Sequence, residues 1–266
     1  MNKIHLTPVV KNLLIINAAL FLIGEVFPNY REILFNTFAL HNPFSENFMI
    51  FQLVTHAFLH GSLFHIASNM FALVSFGPIL ETFAGGKKFL IYYLICALGG
   101  GLLCSGIDGY ESYKLQSEAK TYIANPNAMN LAHFMKEHTK EVYAENLEYL
   151  EFFEKNEHNQ ETVKSSIDFV KSTIENSKLG LMIGASGAIF GLLVAFGYIF
   201  PKQKLQFLLF PPIEAQYSVI IYGAIELFLG VYKIPGDPIS HYGHLGGLLF
   251  GLIMLLLFQK RGLRNY

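Results

Sequence analysis

Gly184-Ala185-Ser186-Gly187 opens an apolar run that continues to Phe200 without one charged residue. A second uncharged run, 241–258, opens on His241-Tyr242-Gly243-His244-Leu245-Gly246-Gly247. Hydrocarbon offers no hydrogen-bond partner to a hydroxyl or an imidazole, so such groups at the mouths of two apolar segments require a reason. A nucleophile and its general base supply one.

The rest of the chain fits that setting. Of 266 residues, 52% are hydrophobic and only 15% charged, against about 25% charged in soluble proteins. About 20 apolar residues cross a bilayer, and six stretches qualify: 9–27, 65–84, 88–107, 183–200, 214–232 and 241–258. A net charge of −1 and the lack of a phosphate-cradling glycine loop give no support to nucleic-acid or nucleotide binding. Cys96 and Cys104 sit eight residues apart in one span, about 12 Å along a helix, beyond disulfide reach. No small-residue cleavage site follows the first apolar run, so it is read as an uncleaved span. Nine basic residues (Lys3, Lys11, Lys87, Lys88, Lys202, Lys204, Lys260, Arg261, Arg264) flank one set of span ends, against Arg31 and Lys233 on the other. This asymmetry predicts that both termini are cytoplasmic, with the Ser186 and His244 ends facing outward. The absence of a transit peptide points to a bacterial plasma membrane.

Residues 107–179 break the membrane composition, carrying 13 of the 20 acidic and 8 of the 19 basic residues. The chain therefore divides into three parts: spans one to three with the outer loop 28–64 (1–106), a polar insertion (107–179), and spans four to six (180–266). Within the insertion Leu131, Phe134, Met135, Leu147, Leu150 and Phe153, then Val163, Ile167, Val170 and Ile174, recur at helical spacing. They predict two amphipathic helices joined near Asn156–Asn159. These form a solvated hairpin packed on itself, or a surface for an extracytoplasmic partner or self-association. Pro211-Pro212 marks a turn between spans four and five.

Serine hydrolysis needs a base, oxyanion donors and water. Ser186 supplies the hydroxyl and, at a helix start, its own N–H as one donor; His244 is the candidate base. Gly187-x-x-x-Gly191 and Gly247-x-x-x-Gly251 follow the two residues directly, and small residues four apart let two helix backbones approach. Span two contributes His65 and Asn69, one turn apart on one face, as side-chain oxyanion donors. His56 and His60 are read as structural, bonding loop backbone. Three histidines in ten residues also invite a metal, but no paired carboxylate or His-Glu-x-x-His helix accompanies them, so neither metal nor cofactor is expected. Phe190, one turn beyond Ser186, either stacks on the histidine ring or fills space. Spans four and six hold no acidic residue, which predicts a Ser-His dyad without a carboxylate to orient the base.

His60-x4-His65-x3-Asn69, Gly184-x-Ser186-Gly187 and His244-x2-Gly247-x3-Gly251, in that order on three spans, closely resemble the rhomboid intramembrane serine proteases. The resemblance implies an all-α polytopic membrane protein: a six-transmembrane-helix rhomboid-like bundle with a polar helical insertion between helices 3 and 4. It further implies cleavage of a peptide bond in or near the transmembrane helix of single-span substrates. Ser186 would be acylated, His244 would shuttle the proton, and His65, Asn69 and the Ser186 N–H would hold the oxyanion. His60 would brace the outer loop, residues 233–243 would cap the site and 214–232 would border a lateral opening. Phe51-Gln52 stands where many members carry Trp-Arg, so that arginine's bracing is expected to be missing. A catalytically silent, rhomboid-like binding or quality-control protein is the second class. Glu226, an acid in mid-span, costs at least about 2.5 kcal/mol to insert and must face water or a partner.

Overall fold

The computed structural model describes residues 5–205, 212–234, 237 and 239–260. Lys3, Arg261, Arg264, Pro211 and part of the 233–243 cap lie outside the described residues. Two compact units result. One takes the chain up to His41, Asn47–Gly106 and the chain from Leu181 on; the other takes Asn42–Glu46 and Ile107–Gly180.

Among the described residues, five helices are long and apolar enough to cross a membrane: α1 (Pro8–Val26), α4 (Leu63–Ala84), α5 (Gly86–Ala124), α11 (Ala215–Tyr232) and α12 (His241–Lys260). The sixth expected span, 183–200, is a 14-residue helix, α10 (Ser186–Ile199). At 1.5 Å per residue it is about 21 Å long, short of the roughly 30 Å of hydrocarbon. Residues before Ser186 are not helical: Leu181–Met182 (β2) pairs antiparallel with Leu40–His41 (β1). The apolar run 183–200 therefore opens on non-helical residues directly after that strand, a division that hydropathy does not register.

The expected outer loop 28–64 folds into α2 (Pro28–Phe38), β1, α3 (Gln52–Thr55) and a 3-10 turn, His56–Phe58. Its brace is present in another form. Gln52 is fully buried; its amide donates to the carbonyls of Thr37 (3.1 Å) and Asn47 (2.9 Å) and accepts from the N–H of Met49 (3.0 Å). Arg31 Nη2 donates to the carbonyl of Gly61 at 2.6 Å. A neutral amide and an arginine from α2 thus tie down backbone whose bracing the sequence suggested was lost.

A buried acid anchors α1. Glu81, 5% exposed on α4, accepts from the N–H groups of Val9 (3.0 Å) and Val10 (2.9 Å) and from the Thr7 hydroxyl (2.5 Å). It satisfies the orphan donors at a helix start whose dipole favours negative charge. The core of this unit gathers Leu73, Phe76, Phe89, Tyr93, Leu192 and Phe196 from α4, α5 and α10.

The insertion contains four helices where two were expected: α6 (Ala128–His138), α7 (Lys140–Glu145), α8 (Leu147–Lys155) and α9 (Gln160–Ser177). The joint at 156–159 separates α8 from α9, while Thr139 and Asn146 leave helical geometry and break what the spacing suggested was one helix. In addition α5 runs past the apolar stretch to Ala124. Leu115, Ala119 and Tyr122 lie on one helical face there and are buried with Leu131, Phe134, Phe153 and Val170 in a core of the unit's own. Tyr122 donates to Ser166 Oγ at 2.6 Å inside it.

Candidate active site

Ser186 is the first residue of α10. Gly184, two residues before it, has φ +119°, a conformation few residues other than glycine adopt. Its N–H is held by the carbonyl of His56 at 2.9 Å. A Cβ at Gly184 would lie 2.5 Å from Nε2 of His65, so that ring rests against the turn that presents the serine.

α12 brings His244 to the same point. Nε2 of His244 lies 2.7 Å from Oγ of Ser186, and the ring of Phe190 stacks on the imidazole at 4.4 Å with an 11° interplanar angle. The approach depends on glycines: a Cβ on Gly247 would overlap the carbonyl oxygen of Gly187. One on Gly251 would come within 3.1 Å of Cα of Gly191 and 2.6 Å of the Tyr92 hydroxyl. The residues expected to let the two backbones meet are those at which they do.

On α4, Asn69 is 6% exposed and one amide hydrogen goes to the carbonyl of His65 at 3.1 Å, which leaves the second hydrogen for another acceptor. His60 is buried with its ring edge-on to His65 at 4.9 Å, and neither ring nitrogen has a hydrogen-bond partner among the described residues. It supports His65 by packing, whereas His56 does bond backbone, to the carbonyl of Gln52 at 2.8 Å.

Burial holds His56 down to about 4. Burial, with His65 beside it, holds His60 down to about 3. Both stay neutral in the fold, while the unfolded chain takes up protons below about 6.5. Depressed histidines therefore contribute stability that is complete above 6.5 and declines as pH falls toward 4. The melting temperature in detergent is expected to drop steadily between pH 6.5 and 4.5; a flat profile over that range would contradict the burial of these rings.

One group lies beside the site that the motif did not include. Glu226, 8% exposed on α11, places Oε2 2.6 Å from Nδ1 of His241 and 3.0 Å from Nδ1 of His244. Nε2 of His241 in turn lies 3.1 Å from Asp237 Oδ2. The expectation of a base with no carboxylate near it is corrected: none comes from spans four or six, but one comes from span five. The sequence held a signal, since His241 and His244 are one turn apart and an acid in mid-span demands partners. Glu226, His241 and His244 are also, among the described residues, close enough together to hold a metal. However, both Nδ1 atoms converge on a single carboxylate oxygen at hydrogen-bonding distance, an arrangement a tetrahedral ion with bonds of about 2.0–2.1 Å would have to open.

The model of the Rhomboid domain matches residues 47–117 and 164–261. Rhomboid-like protease 3 of Toxoplasma gondii is 34% identical over 76 residues, 29% of this chain and 28% of that protein. Rhomboid protein 1, mitochondrial, of Saccharomyces cerevisiae is 22% identical over 202 residues, 76% of this chain and 40% of that protein. RHOMBOID-like protein 12, mitochondrial, of Arabidopsis thaliana is 34% identical over 94 residues, 35% and 27% respectively. The matched stretches span well under half the length of these relatives.

Proposed function

We propose, from the premise that this chain belongs to the rhomboid family, that it is an intramembrane serine endopeptidase cutting a peptide bond in or near the transmembrane helix of another membrane protein. The observation that carries the reading is the 2.7 Å separation of His244 Nε2 and Ser186 Oγ. At that distance the imidazole takes the hydroxyl proton as Oγ bonds to the scissile carbonyl carbon. The carbonyl electrons move onto oxygen, and the resulting oxyanion is held by the N–H of Ser186 with His65 and the free amide hydrogen of Asn69. The proton then passes from His244 to the leaving nitrogen, the C–N bond breaks, and water activated by the same imidazole hydrolyses the ester.

The short α10 supports chemistry below the lipid surface. With its Ile199 end at one face of the membrane, a helix of about 21 Å leaves Ser186 roughly 9 Å inside the other. Substrates in this reading are single-span proteins with small residues at the cut, admitted beside α11. The chain is a multi-pass membrane protein; the orientation with both termini cytoplasmic is part of the proposal and rests on the nine-to-two distribution of basic residues. Two of the relatives are named mitochondrial, so the expected bacterial plasma membrane has no support from them. Any extracytoplasmic partner or self-association would engage 107–179, and the hydrophobic core that this stretch forms supports reading it as a module.

The test is cleavage in proteoliposomes of a labelled single-span protein carrying small residues near its outer membrane boundary. Wild type is expected to release a fragment and Ser186→Ala none. A fragment formed equally by both would remove the serine from the mechanism and favour the silent, binding class.

A further inference from the structure

We infer that Glu226 is a positioning residue for His244, a third member of the constellation supplied by α11; the inference rests on the serine-protease reading above. A carboxylate inside a span is costly enough to require strong partners, and its Oε2 faces two imidazole nitrogens at 2.6 and 3.0 Å. The second of these belongs to a ring whose opposite nitrogen is 2.7 Å from Ser186 Oγ. Hydroxyl, imidazole and carboxylate therefore follow one another in the order of a serine triad.

Each neighbour of His244 constrains it differently. The stacked face of Phe190 fixes the plane of the ring but does not choose which nitrogen carries hydrogen. An acceptor at Nδ1 makes that choice: with N–H at Nδ1, Nε2 keeps the lone pair that takes the serine proton. The same carboxylate then lies beside the positive charge that the ring acquires. In the resting arrangement Nδ1 of His244 makes no aligned hydrogen bond among the described residues, although Oε2 is 3.0 Å away. Oε2 is aligned instead with His241, which Asp237 holds from its other side. At 3.0 Å the same oxygen is already within reach of Nδ1 of His244, so in this inference His241 and Asp237 anchor the carboxylate that His244 uses as it becomes charged.

The experiment follows covalent modification of full-length protein in membranes by a fluorophosphonate over a range of probe concentrations. This separates the limiting rate of reaction from the affinity for the probe, and the end point of each time course counts competent sites independently of how much chain has folded. Glu226→Gln keeps size but removes charge, and is expected to lower the limiting rate about 100-fold with the half-saturating concentration within about two-fold of wild type. Fewer sites reacting at the wild-type rate would mean that Glu226 only supports the fold, and would overturn the inference. If the Gln chain does not accumulate, Glu226→Asp decides. Its carboxylate, drawn back by one methylene, is expected to react at least about three-fold more slowly, and a wild-type rate would overturn the inference. Ser186→Ala is run alongside: modification of that variant would sink the protease reading itself. An inert Ser186→Ala beside a fully reactive Glu226→Gln would sink only the role of Glu226.

Discussion

Replacing His244 with Ala is expected to cut peptide-bond cleavage by about 10⁴-fold or more while the protein still folds. At Ser186 a base deletion leaves an alcohol whose pKa is far above neutrality, and among the described residues its oxygen has no hydrogen-bond partner besides His244. His65 does not substitute for the lost base, because its ring rests against Gly184 at the turn that precedes the serine. The fold survives because His244 makes few contacts, the approach to Glu226, the hydrogen bond to Ser186 and a ring stack, while the glycines that seat α12 on α10 are untouched. The measurement is turnover of a single-span substrate set against the thermal midpoint of the same preparation. A loss of turnover that merely tracks a loss of folded protein would count against His244 as the base.

Gly247→Ala is expected to have the largest effect on stability. The added methyl group has nowhere to go: it would fall on the carbonyl oxygen of Gly187, which is backbone and cannot rotate away. α10 and α12 must separate, costing about 3 kcal/mol and lowering the melting temperature by roughly 10 °C. Because Ser186 and His244 sit immediately before these contacts, the same separation opens the 2.7 Å gap and lowers activity further than the stability loss alone. Gly106→Ala provides the comparison. Nothing lies within 4 Å of a Cβ there, and the midpoint is expected to stay within about 3 °C of wild type. Equal melting of the two variants would mean that the helices do not meet at Gly247.

What could be read from the sequence follows from the range of each signal. Hydropathy over 20 residues locates apolar segments; it does not measure how much of one is helical, so the 14-residue length of α10 was not visible in 183–200, although the motif placed Ser186 at a helix start. The proximity of Ser186 and His244 was legible because each residue carries its own glycine ridge, a local pattern that survives without knowledge of the partner helix. Glu226 was legible only as an anomaly. Which way a residue points depends on how a helix is rotated about its axis, and an almost uniformly apolar segment such as α11 leaves that rotation to its neighbours. Gln52 shows a related limit: its amide bonds the end of α2 at Thr37 and loop backbone at Asn47 and Met49, whose path no periodicity encodes. In the insertion the apolar spacing marked the buried face correctly at Leu131, Phe134, Phe153 and Val170. It missed the breaks at Thr139 and Asn146 because polar residues are compatible with either a helix surface or a turn.

The central claim is that an alcohol on one membrane helix and an imidazole on another form a single reactive unit. It is tested most directly by treating membranes with a fluorophosphonate and locating the adduct by mass spectrometry in wild type, Ser186→Ala and His244→Ala. One adduct on Ser186 in the wild type, and none in either variant on the same time scale, is the expected result. An adduct elsewhere, or equal modification of all three chains, would contradict it.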